Sequence, residues 1–337
     1  MRRASCRRRV SSATASYLAV SAERPGVPPA EGYLKASAQD SDERRGTMKP
    51  IALMNDHLLA FVLGLVEGVT EFLPVSSTAH LRIAEALLGI DLSNGFWKMF
   101  SIVIQMGAIL CLPIYFKRRI AEFLATFPRG TRGDRTAFDH PLTLTLVAFL
   151  CTAVPAFLLT KVIGKNLESL SLMAWSLIIG GGVMWVVDAT YGSRYNPRDV
   201  ESIGLSQAIW IGFCQSLAAI FPGTSRSMAT IAAGELGGLS RAAALEFSFL
   251  LSIPTMVAAT GYDLLKFIGH PEDGGSVGTL RMDSHGLTIL AIGFVVSFFV
   301  AWGVVAWFMN WVRHRGFAPF ALYRILVGVA VLVWMVK

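Results

Sequence analysis

Charged residues are scarce in this chain of 337 residues. They make up 16% of it, whereas hydrophobic residues make up 53%, and an ordinary soluble domain carries roughly 25% charged residues. The high hydrophobicity excludes a disordered chain, which needs the opposite composition. The low charge argues against a soluble globular protein, whose surface needs more charge than this.

Cysteine is scarce too. Three of the four cysteines, Cys111, Cys151 and Cys214, lie inside apolar runs without CxxC or Cys/His spacing. A disulfide framework and a zinc site are therefore not expected. We interpret these thiols as buried residues without a chemical role.

The positive charge is concentrated at the start of the chain. Of the formal net charge of +7, residues 1–47 contribute +4, from nine basic and five acidic residues. No apolar stretch of signal-peptide length follows the arginines. We predict a disordered basic tail over 1–47, or a mis-assigned start with Met48 as the true one, and a single membrane domain over 48–337. Only the tail could offer a basic face to nucleic acid, so a nucleic-acid binder is not expected.

Six long apolar runs follow one another after Met48. Each has about 19 to 24 residues, and at ~1.5 Å per helical residue this length crosses a ~30 Å hydrocarbon core. The series predicts an all-α integral membrane protein with six spanning helices. The runs are residues 96–116, 140–160, 172–190, 245–268, 287–310 and 317–336.

Two further apolar segments are interrupted. Segment 55–90 is broken around residues 73–77, and segment 205–238 around residues 221–225, by Pro, Gly and hydroxyl residues. Each half is too short to span, and such breaks remove backbone hydrogen bonds. Irregular backbone is tolerated at membrane depth only where it is buried or lines a wet cavity. We predict two re-entrant helical hairpins.

The two hairpins resemble each other, which indicates an internal repeat. Each repeat has one hairpin and three spanning helices, over about residues 51–190 and 205–337. Because three crossings is an odd number, the second copy is expected to be inverted, with the functional site where the broken helices meet at the midplane. At a shift of 148 the matching pairs are Gly64 and Gly212, Glu67 and Gln215, Pro74 and Pro222, and Ser77 and Ser225.

Basic residues predict the orientation. Loops 117–139, 191–204 and 311–316 fall on one side and hold ten of them, whereas loops 161–171 and 269–286 hold three. The first side is therefore expected to be cytoplasmic. The first hairpin then enters from outside and the second from inside.

The first hairpin carries ionisable residues that are costly in a membrane and are functional candidates for that reason. Glu67 and Glu71 share one helical face. Two close carboxylates need a divalent cation, a shared proton or a basic partner; Mg²⁺ or Ca²⁺ suits their oxygen ligands. Ser76, Ser77 and Thr78 lie at the start of a returning half-helix, where an anion is favoured, and His80 follows one turn after Ser77.

The second hairpin carries the arginine Arg226, whose fork suits phosphate. A structural salt bridge to Glu67 or Glu71 is compatible with that role, and Thr230 is spaced to hold the arginine. Hydroxyls at this second half-helix start come from Thr224, Ser225 and Ser227. Together the two hairpins predict a midplane site for a lipid phosphate or diphosphate, with transport of an anion on the inverted repeat as the alternative.

These residues resemble two signature motifs of the undecaprenyl-diphosphate phosphatase (bacitracin-resistance) family. The motifs are residues 67–80, EGVTEFLPVSSTAH, and residues 222–230, PGTSRSMAT. Stretches 246–251 and 319–324 look like that family too, so the resemblance covers about residues 50–337. Two departures from the family pattern are Ala79 and Met228, where the family usually has glycine; Met228 is the larger change and is expected to narrow the site or to shift the second hairpin.

The resemblance implies a phosphatase of the bacterial inner membrane that recycles the lipid carrier of peptidoglycan synthesis. It implies an outward-facing site, support by a divalent cation at Glu67 and Glu71, and a polyprenyl diphosphate substrate among membrane lipids; a homo-oligomer is left open. By motif position, the catalytic residues fall on Glu67, Glu71, Ser77, His80 and Arg226. The supporting phosphate contacts fall on Ser76, Thr78, Thr224, Ser225, Ser227 and Thr230.

The nucleophile is open at this stage. Ser77 is the first choice, with Glu71 or His80 taking its proton, and the alternatives are His80 itself or a water activated by the carboxylates and a metal. Among other classes, a lipid-phosphate transporter or flippase is the main rival. An acid-phosphatase-like lipid phosphatase is disfavoured because no histidine follows soon after Arg226.

Overall fold

The computed structural model describes residues 55–90, 95–130, 133, 135–159, 169–192, 200–269 and 283–336. The predictions for residues 1–47 lie outside this part of the chain. The described residues form α-helices and one 3-10 turn, Val200–Ser202. The helices are α1 Asp56–Thr70, α2 Ser77–Leu87, α3 Gly95–Tyr115, α4 Lys117–Thr126, α5 Pro141–Leu158, α6 Leu170–Tyr191, α7 Leu205–Ile220, α8 Arg226–Leu236, α9 Arg241–Gly269, α10 Ser284–His314 and α11 Ala318–Val336.

Six of these helices are long and apolar enough to cross a membrane. They are α3, α5, α6, α9, α10 and α11. This confirms the predicted all-α class with six candidate spanning helices, because every apolar run of the sequence forms one helix. Their outward faces carry large apolar side chains such as Leu158, Ile179 and Phe299, which are more than half exposed, as lipid contact requires.

The two interrupted segments form helix pairs. A turn over residues 71–76 separates α1 from α2, and a turn over 221–225 separates α7 from α8. In both turns a serine is the N-cap of the second helix: Ser76 accepts a hydrogen bond from the amide of Ala79, and Ser225 from the amide of Met228. These caps satisfy amides that have no partner within the helix.

The pairs begin at opposite ends of the helix bundle. Asp56 at the start of α1 lies 3.3 Å from His285 at the start of α10. Before α7, Glu201 pairs with Arg119, which in turn bonds to Glu246 near the start of α9. These two ends are connected by α10, which spans the bundle. It starts beside His285 at one end and finishes near Asp188 and the start of α11 at the other. The re-entrant insertion of the pairs and the inverted repeat stay predictions.

Matching glycines bring each pair close to a spanning helix. A Cβ on Gly64 of α1 would lie 2.8 Å from the carbonyl oxygen of Gly293 on α10, and a Cβ on Gly212 of α7 would lie 2.4 Å from that of Ala148 on α5. Both positions therefore require a residue without a side chain. The sequence match between Gly64 and Gly212 thus corresponds to the same packing role in each half.

The helix α4 lies in a stretch expected to be a loop. It follows α3 directly and has a basic start, and its Arg119 bonds to Glu122, Glu201 and Glu246. Because Arg119 holds three carboxylates, it ties α4 to the segment before α7 and to the start of α9. The large basic loop therefore contains an ordered helix at the end expected to face the cytoplasm.

Candidate active site

A cavity of about 310 Å³ lies where the two turns meet. Both turns contribute to its wall, together with residues of α3, α5, α7 and α9. Six of the residues singled out in the sequence line it: Glu71, Ser76, Ser77, Thr78, Ser225 and Arg226. The structure therefore joins motifs that are about 150 residues apart in the chain.

Ser77 and Glu71 form a close pair across the first turn. The Ser77 hydroxyl donates a hydrogen bond of 2.6 Å to Oε2 of Glu71, and both residues are more than nine-tenths buried. Hydrogen bonds to an ionised acceptor are short and strong. Ser77 is also the first residue of α2, so its oxygen lies near the free amides of a helix start. The arrangement orients a hydroxyl towards a proton acceptor.

Arg226 reaches the same carboxylate from the second turn. Its Nη2 lies 3.2 Å from Oε1 of Glu71, and its Nη1 bonds to the hydroxyl of Ser252 on α9. The guanidinium lies 6.0 Å from the Phe72 ring, and only 11% of the side chain is exposed. Glu71 is thus held between a hydroxyl and a permanent cation. Arg226 forms the salt bridge and also lines the cavity.

The other hydroxyls of the second motif hold the backbone. Ser227 donates to the carbonyl oxygen of Leu73 at 2.9 Å, and this bond joins the two turns. Thr230 bonds to the Arg226 carbonyl and to Ser248, not to the guanidinium. Ser227, Thr230 and Thr224 are not among the residues lining the cavity. Their hydrogen bonds stabilise the fold of the site, and their positions do not favour direct contact with phosphate.

Glu67 and His80 lie away from the cavity wall. Glu67 is fully buried one helical turn before Glu71, with no hydrogen-bond donor to its carboxyl oxygens among the described residues. His80 donates from Nδ1 to the Ser76 carbonyl at 2.7 Å, so that Nε2 accepts from the Tyr323 hydroxyl at 2.8 Å. The His80 ring also stacks on Tyr323. Both ring nitrogens are therefore engaged, Nδ1 by the backbone of the first turn and Nε2 by α11.

The cavity has polar residues that sequence reasoning missed. Gln215 is 2% exposed and donates to the hydroxyls of Thr152 and Thr255 at 2.9 and 3.1 Å. Those hydroxyls donate to backbone carbonyls in turn, which fixes the orientation of the amide. The match of Gln215 to Glu67 in the repeat was the available signal. Gln105 and Asp263 also line the wall.

The larger family departure, Met228, packs away from the cavity. Its side chain is 4% exposed and is not part of the cavity wall. A Cβ on Gly180 of α6 would lie 2.8 Å from the Met228 methyl carbon and 2.4 Å from Nη2 of Arg324. Met228 therefore fills space beside a glycine of α6 and leaves the cavity unobstructed.

A divalent cation at Glu67 and Glu71 does not fit the geometry of these side chains. Both oxygens of Glu71 already bond to Ser77 and Arg226, and Glu67 does not line the cavity. Within the described ranges, no group of three or more His, Cys, Asp or Glu residues is arranged to hold a metal ion. We therefore derive no chemical step through a metal. The arrangement itself offers an oriented hydroxyl, a base and a cation, which suits phosphoryl transfer.

Comparison with known proteins agrees with this geometry. The family model described as bacitracin resistance protein BacA matches residues 60–330. An undecaprenyl-diphosphatase of Koribacter versatilis is 66% identical over 285 residues, which cover 84% of this chain and 100% of that protein. Undecaprenyl-diphosphatases of Caldanaerobacter subterraneus and Thermus thermophilus are each 41% identical, over 81% and 80% of this chain and 94% of each relative.

Proposed function

The chain belongs to the bacitracin resistance protein BacA family, and from this premise we infer that it is a membrane undecaprenyl-diphosphatase. It hydrolyses undecaprenyl diphosphate to undecaprenyl phosphate and inorganic phosphate, a hydrolase reaction on a phosphoric anhydride. This recycles the lipid carrier for peptidoglycan synthesis and contributes to bacitracin resistance. Six apolar helices suit a multi-pass enzyme whose substrate has a lipid tail.

One observation carries the chemistry: Glu71 accepts from Ser77 and from Arg226 at the wall of a single cavity. In the first step, Ser77 Oγ attacks the terminal phosphorus while Glu71 takes the hydroxyl proton. The bond from that phosphorus to the bridging oxygen breaks, and undecaprenyl phosphate leaves. Arg226 and the amides at the helix starts stabilise the charge on the transferring phosphoryl group.

The second step restores the enzyme. A water attacks the phosphorus of phosphorylated Ser77, the bond to Oγ breaks, and inorganic phosphate leaves. Glu71 returns to Oγ the proton that it took in the first step, so that Ser77 regains its hydroxyl and Glu71 its carboxylate, and both protons of the water leave with inorganic phosphate. Glu71 thus serves as base in the first step and as acid in the second, because it lies within hydrogen-bond distance of Oγ.

The position of His80 supports Ser77 as nucleophile. Both histidine nitrogens bond on the side of Tyr323 and Ser76, and the ring does not line the cavity. Glu67 lies one helical turn before the base, Glu71, and does not line the cavity, so we assign it no contact with the substrate. Ser76, Thr78 and Ser225 line the cavity, which supports the proposal that they contact phosphate.

The enzyme is proposed to lie in the bacterial inner membrane, with the basic loops in the cytoplasm and the cavity open to the outer side. The extent of the cavity supports this orientation. From the turns it reaches Asp263, near the end of α9 that leads to loop 269–286, which holds few basic residues. Two re-entrant hairpins of an inverted repeat suit the opposite entry points of the helix pairs. A homo-oligomer stays a prediction. A requirement for Mg²⁺ or Ca²⁺ also stays a prediction, but without Glu67 and Glu71 as the cation site.

The test is release of inorganic phosphate from undecaprenyl diphosphate by the full chain purified in detergent. Because detergent leaves no compartments, a transporter or flippase would release none, and that rival is not favoured by the relatives' names. Ser77→Ala is the matched control for a contaminating phosphatase. Absence of phosphate release by the folded wild-type protein would overturn the proposed function.

A further inference from the structure

A second buried arginine, Arg324, contacts both turns. It sits in the apolar helix α11 and is 0% exposed. Placing an arginine in the middle of a membrane helix costs about 2.5–3.5 kcal/mol on insertion scales. An arginine at this cost is expected to have a role, and its hydrogen-bond partners indicate which role.

The Arg324 guanidinium bonds to backbone carbonyls of both turns. Nη1 donates to the carbonyl oxygen of Pro74 at 3.0 Å in the first turn. Nη2 donates to those of Gly223 and Thr224 in the second turn, at 3.1 and 2.9 Å, and to that of Ser176 on α6 at 3.1 Å. No carboxylate pairs with it within the described part of the chain.

These carbonyls lie next to the groups that react. Pro74 is two residues before the cap Ser76 and three before Ser77, and Thr224 is two residues before Arg226. One planar guanidinium group thus fixes the separation of the two turns, and with it the distance between the hydroxyl of Ser77 and the fork of Arg226. A lysine could not reproduce this, because a single ammonium group cannot bond to carbonyls on two sides of a planar fork.

We propose that Arg324 is a positioning residue that sets the spacing of the two turns of the active site. It does not line the cavity, so it acts through the backbone and not on the substrate. The proposal rests on the proposed function for its kinetic consequence, whereas its structural consequence is independent of the reaction.

The test compares Arg324→Met and Arg324→Lys with the wild-type full chain in detergent. Misplacement of reacting groups by about 1 Å costs about 10²-fold in rate. We expect Arg324→Met to lower kcat by about that factor with KM for undecaprenyl diphosphate largely unchanged, and Arg324→Lys to be intermediate. Hydrogen exchange should become faster in peptides that cover both turns, residues 71–76 and 221–225.

The matched control is Arg82→Met. Arg82 pairs with the buried Glu85 in the second half of α2, so its loss also removes an arginine contact to a buried carboxylate and lowers stability, without touching either turn. We expect normal kcat per folded molecule and unchanged exchange in the two turns. This variant separates a positioning effect from general destabilisation.

Two results would overturn the proposal. One is normal kcat in folded Arg324→Met, which together with a raised KM would indicate direct substrate contact; the other is unchanged exchange in the turns. If Arg324→Met does not fold, Arg324→Lys decides by the same readouts. If the wild-type protein releases no phosphate, the proposed function fails, but the exchange comparison still tests the spacing of the turns.

Discussion

Ser76 and Ser225 occupy the same point in two different helix pairs, and both have a positive φ, of 75° and 72°. Within the described ranges they are the non-glycine residues with this feature. Such backbone conformations cost energy and are typical of functional sites. Each serine offsets part of the cost by capping a helix that starts at the cavity. The two turns therefore share one strained conformation beside the reacting groups.

The positive φ of Ser225 predicts which of two variants at this position is the more stable. Ser225→Ala keeps the unfavourable φ and loses the cap, which costs about 1 kcal/mol, whereas Ser225→Gly loses the cap but relieves the backbone. We expect the glycine variant to melt above the alanine variant in thermal unfolding of the purified protein. The reverse order would show that φ is not strained in this turn.

Glu71 and Ser77 act as base and nucleophile in the same proposed step, so substitution of either residue should lower kcat. Ser77→Ala and Glu71→Gln should each lower kcat by at least about 10²-fold, because general base catalysis contributes 10²–10⁴-fold. The double variant should be little worse than either single one, because the two residues act as a unit. Phosphate release from undecaprenyl diphosphate is the measurement. Normal turnover of Ser77→Ala would rule out the serine nucleophile.

Arg226→Lys should impair catalysis although it keeps the charge. The fork of Arg226 bonds to Glu71 and Ser252 at once, and an ammonium group cannot keep both contacts and also face phosphate. We expect a large loss of kcat/KM for undecaprenyl diphosphate. Near-normal turnover would remove Arg226 from the role of phosphate clamp.

An alanine is expected to change the stability of the protein differently at two glycines of α6, Gly180 and Gly182. A Cβ at Gly180 would meet Arg324 and Met228, whereas a Cβ at Gly182 meets nothing within 4 Å. Gly180→Ala should therefore destabilise the protein by about 1–3 kcal/mol, while Gly182→Ala should be neutral or slightly stabilising.

A second substitution tests the cause of that difference. Met228→Ala should recover part of the loss of stability in Gly180→Ala, because it removes one of the two contacts. It cannot recover all of it, since Arg324 remains. Equal melting temperatures of Gly180→Ala and Gly182→Ala would contradict the close approach of α6 to Arg324.

Most of the fold follows from the apolar runs. The run 317–336 became α11, Ala318–Val336, and the run 96–116 became α3, Gly95–Tyr115, because a length of about 20 apolar residues leaves few alternatives to a spanning helix. The helix α4 was missed because its short amphipathic pattern gives a weak signal inside a basic loop. Its order depends on Arg119 and on carboxylates distant in sequence.

The site was predictable as a set of residues but not as a geometry. The motifs supplied Ser77, Glu71 and Arg226, whereas their shared hydrogen bonds depend on how two turns meet. Contacts from other helices, such as Ser252, carry no local signal because polar residues in a membrane helix have many roles. Arg324 did give a local signal, because it is the single charged residue in an apolar run. Its four backbone acceptors, however, are visible only in three dimensions.

The position of Arg324 also has a consequence for biosynthesis. It belongs to α11, the last helix of the described chain, yet it bonds to turns that are made much earlier. During translation the two motifs emerge and insert long before the side chain that joins them. A nascent chain arrested before α11 would hold Ser77, Glu71 and Arg226 without their final spacing, so enzymatic competence should appear only after α11 has been made.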